Sequence, residues 1–262
     1  EDLDAASLSD VENFLTEYYA PNNAVLALVG DFDTDDVMAK IEQYFGDIPS
    51  QPTPFEVLIV EPEQTEEKRV TIQDPFARLP RLDIAFKAPR GNTGDWYVLA
   101  VLGDILGGGQ SGRLYRRLVR EEQVALNVRA RLDERRGPSL FSISATPRPG
   151  TDIEALEAMI YEEIEKLTVE LVEDSEMEKV RAQIERQNAQ RLQSTRARAN
   201  ALAENAVFYN DPGLINTFQE KFDRVRKEEV RESSGIYLKQ TNRTVVITLP
   251  QAQGGSPVGG VQ

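Results

Sequence analysis

The sequence predicts an α+β sandwich. Strand and helix patterns come in groups rather than in strict strand–helix–strand alternation, which disfavours a doubly wound parallel sheet. Leu126, Val128, Ala130 and Leu132 alternate with polar residues, and after the turn around Gly137-Pro138 so do Phe141, Ile143 and Ala145, a hairpin signature. A third observation is an internal echo. Helix, Tyr18, Asn22 and the run Val25-Leu26-Ala27 recur as Val230, Tyr237, Asn242 and Val245-Val246-Ile247, with the tyrosines 219 residues apart and the asparagines 220. Such an echo points to a duplicated domain of about that length, with only the last portion of the first copy present.

Residues 8–19 read as an amphipathic helix with Ser9 or Asp10 as N-cap and Val11, Phe14, Leu15 and Tyr18 on one face. Pro21-Asn22-Asn23 breaks it and opens a strand over 24–29, which stops at Gly30. Thr34 can cap a helix over 35–45, after which Gly46, Pro49, Pro52 and Pro54 mark a boundary. Extended stretches are expected at 55–60, 68–73 and 81–87, an apolar helix at 94–106 ending in Gly107-Gly108-Gly109, and a shorter helix at 111–121. Helices over 152–168 and 174–203 precede shorter helical pieces, a strand over 244–249 and a Gly-rich tail expected to be flexible.

Composition narrows the chemistry. The 262 residues include no His, and no Cys either. Ser-His-Asp and Cys-His catalysis, thiolate metal sites and disulfides are therefore excluded, leaving carboxylates as the strong metal ligands. With 44 acidic against 30 basic residues the net charge is −14, which disfavours a general nucleic-acid binder. No apolar run approaches the roughly 18–20 residues of a membrane span. Absence of Cys suits either bacterial cytoplasm or periplasm. The opening Glu1-Asp2-Leu3-Asp4 reads as the interior of a longer protein.

Three constellations stand out. Asp31, Asp33, Asp35 and Glu42 mimic the acids of a calcium loop, but Asp36 occupies the position that needs Gly, and acids favouring a helix N-terminus are the better reading. Gly107-Gly108-Gly109-Gln110-Ser111 joins two helices; it lacks the Gly-Lys-Ser/Thr of a phosphate loop and reads as a helix cap and joint. Residues 113–136 hold eight arginines against four acids, a local excess of four positive charges. Arginine suits bidentate carboxylate recognition, yet most of these are expected to pair with neighbouring acids.

The stretches EDLDAASLSDVENFLTEYYAPNNAVLALVGDFD, YFGDIP and LGGGQSGRLYRRLVREEQVALNV, in that order, resemble the insulinase/pitrilysin zinc metallopeptidases, the inverzincins that include the mitochondrial processing peptidase. The resemblance extends over essentially residues 1–250. It implies tandem domains, each a two-layer sandwich of a mostly antiparallel mixed sheet packed against helices, closing over an unfolded peptide. Residues 1–50 would be the closing helix–strand–helix of a zinc-type first domain, 51–250 a second domain without zinc, and 251–262 a flexible tail.

The zinc motif and its ion would lie in an upstream domain of the same protein, so no catalytic and no metal-binding residue is assigned to this chain. The family's substrate-binding Arg and Tyr, seven positions apart, fall on Arg120 and Asn127; the Tyr is replaced. The triglycine Gly107, Gly108 and Gly109 corresponds to a longer glycine-rich loop implicated in substrate handling. Implied partners are the missing N-terminal domain, a homo- or heterodimeric peptidase subunit and an unfolded peptide substrate. The alternative is a catalytically inactive structural or chaperoning subunit. The chain alone, given zinc, is expected to cleave no unstructured peptide; metal-dependent cleavage by a pure sample in a fluorogenic assay would contradict this.

Overall fold

The alternation seen in the sequence becomes one sheet around strands 81–88, 125–132 and 139–147, each of which has an apolar row to bury. The computed structural model describes residues 5–55 and 60–251. They divide into two compact units, Glu1–Ile59 with Glu185–Gln219, and Val60–Ile184 with Glu220–Gln262. The second unit contains β1 (Lys68–Asp74), β2 (Arg81–Ala88), β3 (Ala125–Leu132), β4 (Ser139–Pro147) and β5 (Arg243–Pro250). Their order in the sheet is β1-β5-β2-β4-β3. β1 runs parallel to β5 and every other pair is antiparallel, so the fold is α+β with a mixed sheet, as the sequence implies.

One face of this sheet carries the core. Leu82, Ile84, Phe86, Phe141, Ile143, Ala145, Val128 and Val245 are buried there. The opposite face is polar, and none of its side chains from Arg81, Asp83, Asn127, Arg129, Arg131, Ser142 or Ser144 is buried. Such one-sided burial is what an alternating antiparallel strand dictates.

The first unit opens with α1 (Leu8–Tyr18) and α2 (Thr34–Phe45). In the second unit the core is closed by α3 (Gly94–Gly107), α4 (Ile153–Val169) and α8 (Lys227–Tyr237). α3 is apolar around most of its circumference because it has neighbours on several sides, packing on β3 and β4 and against α8. α5 (Asp174–Arg191), α6 (Thr195–Tyr209) and α7 (Leu214–Asp223) lie between α4 and α8 in sequence.

Several expectations are corrected. The N-cap of α1 is Ser7: its Oγ accepts from the Asp10 amide at 3.3 Å while Asp10 Oδ2 accepts from the Ser7 amide at 2.8 Å, a reciprocal pair that uses Asp10 at the third position instead. Asp33, not Thr34, caps α2, accepting from the amides of Asp35 and Asp36. The single helix expected over 174–203 is two, because Ser194 caps a new start at Thr195. Residues 24–29 form no strand, since among the described residues nothing pairs with them; Val25, Leu26 and Leu28 are exposed. The centre of the extended stretch at 55–60 and the tail after residue 251 lie outside the described residues.

The internal echo has a structural counterpart with a shifted register. Each copy ends a helix at a Tyr, makes one 3₁₀ turn and continues extended: Tyr18 with Pro21–Asn23, Tyr237 with Gln240–Asn242. Asn23 Nδ2 donates to the Tyr18 carbonyl at 2.8 Å, and Asn242 Nδ2 donates to the Tyr237 carbonyl at 2.7 Å. The match is therefore Asn23 with Asn242, not Asn22, which instead exchanges hydrogen bonds with the Gln51 backbone.

α3 reaches β3 only because its last residue lacks a side chain. A Cβ on Gly107 would lie 2.1 Å from the Ala130 backbone nitrogen. Gly107→Ala is expected to destabilise the chain by about 3 kcal/mol, an overpacking cost with no soft neighbour to yield. Thermal denaturation should place its midpoint several degrees below that of Gly94→Ala, where an added Cβ meets nothing within 4 Å.

Candidate functional site

From the end of α3 to the start of β3 the backbone departs from regular geometry five times in succession. Gly108 caps α3, its N–H donating to the Asp104 carbonyl at 2.8 Å, and Gly109 takes a left-handed φ of +71° before a 3₁₀ turn over Gly109–Ser111. The helix expected at 111–121 is a π-helix over Tyr115–Glu121, closed by Glu122 N–H donating to the Arg117 carbonyl at 2.8 Å. Gln123 then has φ +53°, and the register of β3 against β4 slips between Ala125 and Asn127. π-turns and bulges each add a residue and re-aim the side chains after them, and they concentrate at functional sites.

These irregularities place the sequence-derived candidates. Arg120 sits in the last turn of the π-helix, exposed, with its guanidinium over the Tyr115 ring at 5.7 Å. Its Nη2 donates to Gln110 Oε1 at 3.2 Å, so Arg120 and the triglycine turn are joined through Gln110. Gly107 and Gly108 are held by packing, since a Cβ on Gly108 would lie 2.2 Å from the Asp104 carbonyl oxygen. Asn127 follows the bulge on the exposed polar row of β3, opposite Thr146, and its side-chain amide makes no hydrogen bond among the described residues.

The neighbouring arginines separate by function. Arg113 makes a two-pronged pair with Glu176 at 2.8 and 2.6 Å, and the Arg113 hydrogen bond holds the Glu176 carboxyl below its usual range despite partial burial. Arg117 pairs with Glu163 at 2.9 Å and with Glu162. Arg117 braces the π-helix against α4, and Arg113, two residues before it, braces its entry against α5. Arg131 and Arg135 share Asp133. Arg129 makes no ion pair or hydrogen bond among the described residues.

Sequence spacing alone passes over two groups. Arg129 is one arginine among eight, and only the fold shows that its side chain pairs with none of the described residues. Asp104 is a lone carboxyl within the apolar run of α3, a signal visible in the sequence. It lies one turn before the Gly108 cap, has no hydrogen-bond partner for its carboxyl among the described residues, and is pushed by burial up to about 6.

The site can therefore bind and polarise: Arg120 offers a charged planar donor and Asn127 an amide that both donates and accepts. It does not fit zinc. The chain has no His or Cys, and among the described residues no three or more carboxylates converge.

The family profile described as peptidase M16 inactive domain matches residues 5–184. The chain belongs to that family. Among curated proteins, the zinc protease PqqE of Helicobacter pylori is 24% identical over 255 residues, covering 95% of this chain and 56% of the relative. The chain thus spans little more than half of that relative's length. Among solved structures, a protease from Helicobacter pylori aligns with a TM-score of 0.87 at 24% identity, covering 95% of this chain and 60% of the other. A peptidase M16 inactive domain from Pseudomonas fluorescens aligns at 0.80 and 18% identity, covering 94% and 59%. The inactive-domain profile begins in the first unit and ends in α5, so it contains the whole stretch from Gly107 to Asn127.

Asp104 gives the M16 domain a measurable pH signature. Its folded pKa lies above the ordinary value of 3.8, so the stability tied to its protonation is fully present below about pH 4 and is lost as pH rises through about 6. Asp104→Asn is expected to raise stability by about 2 kcal/mol near pH 7.5 and to change little near pH 4. Urea unfolding at the two pH values checks this, and an equal effect at both would contradict it.

Proposed function

We propose that this chain is the zinc-free half of a zinc protease-like protein and that it encloses and positions an unfolded peptide. The carrying observation is Arg120. It is presented on a π-helix, is tied to the glycine turn through Gln110 and makes no ion pair among the described residues. An arginine so placed suits a peptide carbonyl or carboxylate, and a π-helix is costly to keep without a use. The family's substrate-binding pair falls on Arg120 and Asn127; the amide of Asn127 supplies a hydrogen bond where a phenol would otherwise stand.

The metal chemistry belongs, on this reading, to a separate N-terminal domain or subunit, with which the first unit is associated. Support comes from the repeat. In the second copy the residues after the 3₁₀ turn form β5, paired on both edges, by β1 and by β2. In the first copy the equivalent residues after Asn23 have no strand partner among the described residues, and the apolar residues Val11, Phe14 and Leu15 of α1 and Met38, Tyr44 and Phe45 of α2 are exposed. On this reading residues 1–50 are the closing part of that N-terminal domain, whose sheet is supplied from outside the described residues.

The experiment is cleavage of an unstructured peptide by the protein that joins both halves. Arg120→Ala is expected to lower kcat/KM roughly 10- to 100-fold, equivalent to about 1.4–2.7 kcal/mol, with zinc content unchanged and Arg120→Lys intermediate. An unchanged kcat/KM would remove Arg120 from substrate handling. Absence of any zinc-dependent cleavage would leave the structural-subunit role instead.

A further inference from the structure

β3 is the outermost strand of its sheet, and the residues that Arg129 faces leave its charge unanswered. Arg129 has no ion pair or hydrogen bond among the described residues. Arg131, two positions on and 74% exposed, makes its one ion pair among the described residues with Asp133 at 3.5 Å, and that carboxylate also serves Arg135 at 3.1 Å. On the inner side, β4 sets Ser142 opposite Arg131, Ser144 opposite Arg129 and Thr146 opposite Asn127. No acid on the neighbouring strand neutralises this row. The outer edge of β3 has no strand beside it among the described residues. Two adjacent positive charges thus line an unpaired strand edge in a chain whose net charge is −14.

We propose that the free edge of β3 takes up an extended acidic segment of peptide, with carboxylates on alternate residues meeting Arg129 and Arg131. The match is geometric as well as electrostatic. Residues two apart on a strand lie about 6.8 Å apart on the same face, and a sixth strand would present its own side chains at that spacing. Backbone hydrogen bonds to the β3 edge supply sequence-independent affinity, while opposite charges side by side on adjacent strands supply the selection. Asn127 continues the same row, so it faces an uncharged or hydrogen-bonding side chain of the peptide. The rest of the acidic surface repels such a peptide, which concentrates it at β3. This proposal rests on the peptide-contacting role above and adds the class of peptide selected.

The test is fluorescence anisotropy of the whole chain with labelled ten-residue unstructured peptides at low salt. Four peptides share a length: one with glutamate at alternate positions, one with glutamine there, one with lysine there, and the glutamate peptide N-methylated on alternate amides. The alternating glutamate peptide is expected to bind at least tenfold more tightly than the glutamine peptide, with the lysine and N-methylated peptides weakest. In the double variant Arg129→Gln/Arg131→Gln the preference for glutamate should vanish with an unchanged thermal midpoint, and in Arg129→Glu/Arg131→Glu the lysine peptide should bind best. Equal binding of the glutamate and glutamine peptides would overturn the charge selection while leaving peptide contact intact. Full binding of the N-methylated peptide, or equal binding of a single-stranded oligonucleotide, would overturn strand addition in favour of a general anion surface. Failure of every peptide to bind would overturn both this proposal and the peptide-contacting role.

Discussion

The contact between Gly107 and Ala130 is the constraint on which the rest of the site depends. α3 is buried along most of its length and must sit down on β3, and only a residue without a Cβ allows its last turn to approach the strand backbone. Having come so close, the chain must leave at once. Gly108 closes the helix and Gly109 reverses the backbone with a left-handed φ. The π-helix, the left-handed Gln123 and the register slip at Ala125/Asn127 then bring the same segment back to pair as the edge strand. Packing therefore explains Gly107 and Gly108, a left-handed φ explains Gly109, and the position of all three beside Arg120 is a consequence of that turn.

Electrostatics then divides the arginines into braces and free groups. Arg113 and Arg117 tie the π-helix to Glu176, Glu162 and Glu163, carried by the next two helices. At the other side of the sheet, Arg69 pairs with buried Glu157 and Arg243 with Glu67, fastening β1 to α4 and β5 to the segment that leads into β1. Buried carboxylates such as Glu157 and Glu163 would be costly without these partners. Within the arginine-rich stretch 113–136, Arg120 and Arg129 make no ion pair among the described residues. That stretch thus presents two unspent cations next to the irregular backbone that aims them.

Much of the fold is legible because it depends on local pattern. The alternation in Leu126–Leu132 and Phe141–Ala145 specifies the hairpin directly, and the apolar run from Trp96 to Leu106 specifies a helix buried on several sides. The repeat is legible too, although one residue out of register, since Asn22 and Asn23 are indistinguishable in sequence and only the hydrogen bond to Tyr18 separates them. The parallel pairing of β1 with β5 is not legible, because it joins residues 176 positions apart that carry no mutual signal. Nor is the π-helix, whose side-chain pattern differs little from that of an α-helix over two turns. Residues 24–29 have the composition of a strand, and a strand requires a partner. Arg120, Asn127 and the glycines are reachable only through resemblance to a family. The unpaired state of Arg129 depends on where each neighbouring acid is spent.

If the stretch from Gly107 to Leu132 meets peptide, a bound peptide must lie within reach of it. The most direct measurement is photo-crosslinking of an unstructured peptide to the protein, with the adducts mapped by mass spectrometry. Adducts are expected to concentrate between Gly107 and Leu132 and to diminish in Arg120→Ala. Adducts spread evenly over the surface, or confined to the helical face of the sheet, would contradict it.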